Sequence, residues 1–233
     1  MTAPRIGFVG TDTAVGKTTL VCVLLEQAQA MGIHAVPYKP AQSHAADEQR
    51  SDVVRLREAA GLSSQCDGWI GTLEYDLPLA PGLAEDPTPF LLPGSRGEVW
   101  PCPPLSRCVD ALAAIMGTQA PALLFVELAG GLWVPMPGGS WQPQWIRALV
   151  DHVVVVGRAG LGTINHTLST IDWLQQLGLP PRGFFLSETA PPDPSNIYNP
   201  AVIAAATGVP HLGTLAHGEC TIDLLSPLLR AIS

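Results

Sequence analysis

Residues 6–18 of the chain read IGFVGTDTAVGKT, a short apolar run followed by a glycine-bounded loop that ends in GKT. The apolar run Ile6–Val9 predicts a buried strand, and the pattern from Lys17 to Met31 predicts the helix that follows it. A loop of this kind between a strand and a helix is where a P-loop wraps nucleotide phosphates, because backbone N–H groups and the positive helix end converge there. The stretch therefore predicts nucleotide binding.

The side chains of this loop suit phosphate chemistry. Lys17 is placed to reach the outer phosphates, and the Thr18 hydroxyl is a suitable magnesium ligand. The spacing departs from the standard pattern because Thr11 takes the place of the first glycine. Asp12 occupies the position at which partitioning ATPases and their relatives carry a signature lysine, which argues against that branch.

Strand and helix patterns alternate along the rest of the chain. Further strands are predicted at Ile33–Tyr38, Leu123–Val126, Asp151–Val156, Gly183–Leu186 and His211–Leu215. Further helices are predicted at Ser51–Ala60, Leu105–Met116, Thr163–Leu177 and Pro200–Thr207. Such alternation predicts a single α/β domain over residues 1–233, a P-loop NTPase-like fold with a mostly parallel sheet of about six strands and helices on both faces.

One stretch breaks the alternation. Eight prolines lie between Asp76 and Pro104. Proline removes backbone donors and fixes φ, so we expect an ordered loop or lid here rather than a helix. Apolar residues run through the stretch, which favours an insertion packed on the domain over a linker.

Composition narrows the functional classes. Acidic residues outnumber basic ones by 20 to 12, which argues against a nucleic-acid partner. No apolar run approaches the roughly 18 residues of a membrane helix, and the N-terminus lacks a signal-peptide layout. The five cysteines are scattered and never spaced C-x-x-C, which argues against a disulfide framework or zinc site. We therefore expect a cytoplasmic protein without nucleic-acid or membrane partners.

Four motifs in order resemble one family. The segment Gly10–Thr18 resembles the G-T-D-T-x-V-G-K-T signature of dethiobiotin synthetases, and Tyr38–Pro40 is similar to their Y-K-P motif. Val126–Gly131 is similar to their V-E-G-A-G-G segment, and Leu161–His166 resembles their L-G-x-I-N-H stretch. Residues 190–192 extend the match weakly.

The resemblance implies an ATP-dependent cyclo-ligase that uses magnesium. In that family, an amine of 7,8-diaminopelargonic acid takes up carbon dioxide to form a carbamate. The carbamate attacks ATP to give a carbamic-phosphoric anhydride, and the second amine closes the ring of dethiobiotin. The resemblance also implies a homodimer, because a loop of the second subunit binds the far carboxylate of the substrate.

The resemblance assigns roles residue by residue. It implies Lys17, Lys39 and Thr13 as catalytic residues, and Thr18, Asp52 and Glu127 as magnesium ligands. It implies nucleotide contacts from Asp12, Thr13, Ala14, Val15, Gly16, Lys17, Thr18, Thr19 and Ser187. It implies substrate contacts from Thr13, Lys39, Ser43, Gly130, Gly162 and Asn165, with the loop Leu161–Asn165 matching the one supplied by the second subunit.

Several positions depart from the family pattern. Leu128 and His44 replace glycines, and Gly82 stands where a histidine is common. If the glycine that Leu128 replaces has a positive φ or lets the substrate touch the backbone, Leu128 would strain the backbone or narrow the substrate pocket. Ser187 replaces an asparagine that reads adenine, so we expect weaker discrimination between nucleobases.

Other interpretations stay open at this level. Asp52 also fits the first turn of a helix, where a carboxylate favours the helix dipole. Lys39 also fits a solvated strand end, and Glu127 a helix cap. Two alternative functions remain: a related ligase acting on another amine or carboxylic acid, and a nucleotide-dependent switch without turnover.

Overall fold

A seven-stranded parallel sheet forms the centre of the protein. The computed structural model describes residues 3–43, 51–188, 193–218 and 222–233. The strands of the sheet are β1 (Arg5–Gly10), β2 (Ala35–Ser43), β3 (Gly71–Tyr75), β4 (Leu123–Gly131), β7 (His152–Arg158), β8 (Pro181–Ser187) and β9 (His211–Leu215). Their order is β3-β2-β4-β1-β7-β8-β9, and every pairing is parallel. The predicted fold class is confirmed.

Helices cover both faces of the sheet. They are α1 (Lys17–Ala30), α2 (Asp52–Ala59), α3 (Asp67–Ile70), α4 (Pro81–Glu85), α5 (Pro103–Gln119), α6 (Gln142–Leu149), α7 (Thr163–Gln176), α8 (Asn199–Thr207) and α9 (Leu225–Ile232). One apolar core packs α5 to α8 on one face, and a second packs α1, α2 and α9 on the other. Two-residue strands β5 (Pro135–Met136) and β6 (Ser140–Trp141) pair antiparallel beside the sheet. In the part of the chain that the structure describes, no helix is long and apolar enough to cross a membrane.

The prediction of six strands was wrong by one. Strand β3 lies at the sheet edge and alternates buried with more exposed positions, so its apolar content is too low to stand out. The prediction also ended β2 at Tyr38, whereas the strand continues to Ser43 through Pro40. Up to Tyr38 this strand pairs with β4, and from Lys39 onward it pairs with β3.

The proline-rich stretch is partly helical, contrary to the prediction of a loop without helix. Helix α4 lies within it, with Pro81 in the first turn, where a missing N–H costs nothing. A Cβ on Gly82 would lie 2.6 Å from the backbone oxygen of Met136, so α4 docks on β5 at a distance that only glycine allows. The position therefore has no room for the histidine common in the family.

Candidate nucleotide and substrate site

Three neighbouring strands bring the candidate residues together, from the middle of β2 and β4 and from the carboxyl end of β1. The phosphate loop follows β1, Glu127 lies in β4 and Lys39 lies in β2. These strands are adjacent in the order β2-β4-β1. Ligands of open α/β sheets bind at this edge, which is where the sequence prediction expected them.

The phosphate loop holds a conformation that depends on its glycines. Gly16 sits at the N-cap of α1 with φ of 89°, in the left-handed region that glycine favours. A Cβ on Gly10 would lie 2.5 Å from the carbonyl oxygen of Gly130. The loop therefore packs directly on the backbone of the β4 end.

Lys17 has no carboxylate partner among the described residues. Its Nζ donates to the carbonyl oxygen of Gly130 at 2.8 Å and to that of Asp12 at 3.3 Å. Burial of the ammonium lowers the pKa of Lys17 to about 8, a shift that nearby Glu127 only partly offsets. A buried cation bound to neutral acceptors is well suited to exchange them for an anion.

Glu127 links the phosphate loop to β2. Its Oε1 accepts hydrogen bonds from the Thr18 hydroxyl and from Lys39 Nζ, both at 2.7 Å. Lys39 Nζ also donates to Asp52 Oδ2 at 2.6 Å. Burial alone would lower the pKa of Lys39, but the two carboxylates outweigh it and raise the pKa. Lys39 is therefore a cation in the closed cluster.

The same cluster presents oxygen atoms to a metal ion. Oε2 of Glu127 is buried and has no hydrogen-bond partner within the described part of the chain. With the Thr18 hydroxyl and the Asp52 carboxylate it forms the hard oxygen set that magnesium prefers. The described residues include no group of three or more His, Cys, Asp or Glu side chains able to hold a metal. A magnesium ion held by so few protein oxygens would take its other ligands from water or phosphate oxygens.

Asp52 also retains the helix role that the sequence left open. It begins α2 in the first turn, where its charge favours the helix dipole. Burial alone would raise its pKa, but Lys39, with help from the Thr18 hydroxyl and Arg55, holds the pKa below the ordinary value. Both interpretations of Asp52 are compatible with this placement.

A cavity of about 370 Å³ opens beside the cluster, over β2 and β4. Its polar wall consists of Thr13, Lys39, Gln42, Ser43, Asp52 and the backbone of Gly130. Its apolar wall consists of Ala41, Pro78, Leu79, Ala80, Pro81, Ala129 and Val134. The Ser43 hydroxyl is buried and has no hydrogen-bond partner among the residues that the structure describes. The cavity thus has a polar end and an apolar wall.

A second cavity of about 270 Å³ lies on the other side of the loop, over β7 and β8. Ala14, Val15, Gly16, Arg158, Ser187, Glu188 and His217 line it. Ser187 is almost fully buried, and its hydroxyl lies 2.5 Å from where a Cβ of Gly16 would be. This cavity adjoins the phosphate loop through Ala14, Val15 and Gly16.

Some expected residues line neither of these two cavities. Gly162 and Asn165 are exposed at the start of α7 and line neither cavity. Thr19 accepts a hydrogen bond from Arg55 on the surface. His44 and residues 190–192 lie outside the described residues.

Leu128 contradicts the expectation built on it. It is fully buried in the core and is absent from the cavity wall. Its φ is also not positive, so the leucine neither strains the backbone there nor narrows the pocket. Sequence reasoning missed Gln42 and the Pro78–Pro81 wall, which had no motif to mark them. It also assigned nothing to Arg158, although this residue ends a strand at the binding edge of the sheet.

Relatives of known name match most of the chain. An ATP-dependent dethiobiotin synthetase of Anaeromyxobacter dehalogenans strain 2CP-C is 41% identical over 199 residues, 85% of this chain and 83% of the relative. One from Anaeromyxobacter sp. strain Fw109-5 is 38% identical over 214 residues, 89% and 87% of the two chains. The chain belongs to the dethiobiotin synthetase family.

Two broader comparisons of this dethiobiotin synthetase family member agree with its fold. Residues 105–219 match a family described as an AAA domain. Chloroplast FtsY from Physcomitrella patens superimposes with a TM-score of 0.55 at 12% identity, covering 99% of this chain and 65% of that one. FtsY from Elizabethkingia anophelis, in complex with GDP, gives 0.58 at 13% identity, covering 92% and 57%. At such identities the likeness concerns the fold alone.

Proposed function

We propose that the protein is a cyclo-ligase that makes dethiobiotin from 7,8-diaminopelargonic acid, carbon dioxide and ATP. The observation that carries the proposal is the Lys39–Glu127–Thr18 cluster between the phosphate loop and the 370 Å³ cavity. A cluster in this position can act on a phosphoryl group on one side and on an amine-derived carboxylate on the other. Family membership identifies the substrates, and the geometry supports the assignment.

ATP binds with its phosphates in the loop and its base toward β8. The contacts we propose are Asp12, Thr13, Ala14, Val15, Gly16, Lys17, Thr18, Thr19 and Ser187. Lys17 leaves the two carbonyl oxygens that hold it here and pairs with the outer phosphates. Since its present partners are neutral carbonyl oxygens, the exchange breaks no ion pair.

The diamine binds in the 370 Å³ cavity. Thr13, Lys39, Ser43 and the backbone of Gly130 surround its amine end. The alkyl chain lies along Pro78, Leu79 and Val134. The unpartnered Ser43 hydroxyl supports this placement because a buried hydroxyl without a hydrogen bond is costly unless a ligand supplies one.

Magnesium fits the oxygen atoms of the cluster. Thr18, Asp52 and Glu127 would hold it, and the orphaned Oε2 of Glu127 is the observation that favours an added cation. When bound, the ion neutralises charge that develops on the transferred phosphoryl group. Glu127 and Asp52 also hold Lys39 in the charged form, so its ammonium stays positive beside the carbamate.

The reaction proceeds by three bond-forming steps. A neutral amine attacks carbon dioxide and loses a proton, which gives a carbamate. A carbamate oxygen attacks the γ-phosphorus and ADP leaves. The second amine attacks the carbamoyl carbon, phosphate leaves with the bond electrons, and a proton is lost as the cyclic urea forms. Lys17 and Lys39 stabilise the negative charge of the second step, and Thr13 orients the substrate.

A homodimer completes the site in this proposal. Gly162 and Asn165 line neither of the two cavities described above, and Leu161 beside them is 88% exposed. A second subunit would therefore present this loop to the far carboxylate of the substrate. We expect a dimer by analytical ultracentrifugation.

The test of the function is a set of omission experiments on the purified protein. ADP release and dethiobiotin, the latter by mass spectrometry, are followed while diamine, bicarbonate or magnesium is left out in turn. We expect both products only from the complete mixture. ADP release that continues without the diamine would contradict the proposal and favour a nucleotide-dependent switch.

A further inference from the structure

Arg158 lies beside the phosphate loop but has no role in the site described above. It ends β7, next to the loop strand β1. Its Nη2 donates to Asp12 Oδ2 at 2.9 Å, and both side chains are about half exposed, 47% and 55%. Exposed ion pairs contribute little to folding stability, so this contact is poorly explained as a structural tie.

The paired carboxylate is in an unusual place. Asp12 projects from a loop that would surround a polyphosphate, where an uncompensated negative charge would repel the ligand. Arg158 compensates that charge with one N–H group of its guanidinium. Among the described residues, no acceptor contacts Nε or Nη1 of Arg158. The remaining donors are therefore available to another anion.

The position of Arg158 indicates which anion it would meet. It lines the 270 Å³ cavity together with the loop residues Ala14–Gly16 and with Ser187, its partner in the β7–β8 register. Glu188 is the acidic residue and His217 the other basic residue on the wall. The guanidinium thus stands between the loop and the cavity, where a bound nucleotide would pass.

We propose that Arg158 binds the phosphate chain of the nucleotide from the β7 side of the loop, with Asp12 orienting its guanidinium. The planar fork of arginine suits this task because one edge can stay on the carboxylate while another donates to a phosphate oxygen. Lys17 approaches from the opposite side, so the phosphates lie between two cations. The inference rests on the proposed nucleotide site and not on ring closure.

The test compares ADP with adenosine, which shares the base and ribose but lacks phosphate. Dissociation constants are measured by titration calorimetry for the wild type, Arg158→Gln and Arg158→Lys. We expect Arg158→Gln to weaken ADP binding about tenfold, as loss of a charged hydrogen bond does, and to leave adenosine binding unchanged. The ADP affinity of Arg158→Lys should lie between those of the wild type and Arg158→Gln, because lysine keeps the charge but loses the planar fork of donors.

Arg147→Gln is the matched control, because Arg147 forms a similar 2.9 Å pair with Glu98 and the two side chains are 39% and 55% exposed. Thermal melting of all variants checks that the fold persists. Unchanged ADP binding in Arg158→Gln, or an equal loss for ADP and adenosine, would overturn the inference. A wild type that binds ADP through Arg158 but makes no dethiobiotin would refute the proposed function and leave this inference standing.

Discussion

Lys39 Nζ lies 2.7 Å from Glu127 Oε1, although 88 residues separate the two in the chain. The contact arises because β2 and β4 are neighbours and the two residues directly follow Tyr38 and Val126, the last pair in the register of these strands. The ammonium and carboxylate are both almost fully buried, so neither can lose its partner without cost. The pair therefore fixes the geometry on which phosphoryl transfer in this proposal depends.

Replacing Glu127 with Gln should remove the magnesium response. Glutamine keeps the shape but loses the charge, so turnover should fall about a hundredfold, typical of losing one electrostatic stabiliser. ADP affinity should no longer rise when magnesium is added. Calorimetry with and without magnesium measures this, and Glu98→Gln on the surface is the control. A preserved magnesium effect in Glu127→Gln would exclude Glu127 as a ligand.

Replacing Lys39 with Ala should abolish ring closure while leaving ADP binding intact. The lysine contacts the cavity but lies outside the phosphate loop, so its loss should act on the carbamate rather than on the nucleotide. Steady-state turnover and ADP affinity separate the two effects, and circular dichroism monitors the fold. Lys17→Ala, by contrast, should lower both turnover and affinity. Full activity in either variant would remove the role assigned to that lysine.

ADP binding should weaken as pH rises through about 8. Burial lowers the pKa of Lys17 to about 8, so the free protein loses this cation above that pH. The protonated form of Lys17 binds phosphate, so the affinity for ADP should be highest well below pH 8. It should fall by up to about tenfold by pH 9. Calorimetry at pH 7, 8 and 9 measures the change. In Lys17→Arg, which stays charged, ADP affinity should not change over this pH range. A decrease equal to that of the wild type would assign the effect to another group.

Leu128→Ala should destabilise the protein without changing substrate affinity. The side chain is fully buried in the core and does not reach the cavity. Its truncation should cost about 3 kcal/mol in the free energy of unfolding. Denaturant unfolding measures this, and the KM for the diamine should stay constant. Leu79→Ala, on the partly exposed cavity wall, should raise KM at unchanged stability. A raised KM with unchanged stability in Leu128→Ala would indicate that Leu128 contacts the substrate.

CTP and GTP should support the reaction nearly as well as ATP. Ser187 offers one hydroxyl under Gly16 in place of an amide with a paired donor and acceptor, so turnover with the three nucleotides should agree within about tenfold. Ser187→Ala should leave their ratio unchanged. A strong ATP preference that disappears in Ser187→Ala would show that the hydroxyl reads the base.

Local pattern predicted the centre of the fold better than its edges. Strands such as Val153–Val156 are buried on both faces and stand out as apolar runs. Edge strand β3 lacks that pattern, and α4 begins within a proline-rich stretch whose composition suggested a loop. Proline lacks the N–H that a helix interior needs for its hydrogen bonds. In the first turn that N–H has no partner within the helix, so proline is tolerated there.

The candidate site was predictable where a motif carries its chemistry. The loop Gly10–Thr18, Lys39 and Glu127 belong to recognisable motifs, and the structure brings them together. Gln42 and Arg158 have no motif, and only the sheet order places them at the cavities. At Leu128 the family pattern suggested a role in the site that the structure does not support. A departure from a motif does not indicate that the side chain points into the core.

The most direct test of the account is incorporation of carbon-14 from labelled bicarbonate into dethiobiotin. Purified protein is given 7,8-diaminopelargonic acid, magnesium and ATP, and the product is separated by chromatography. The account predicts labelled dethiobiotin with one ADP released for each ring closed, and none from Lys39→Ala. Absence of labelled product from wild-type protein that still binds ATP would contradict it and would assign the site to a different amine or acid.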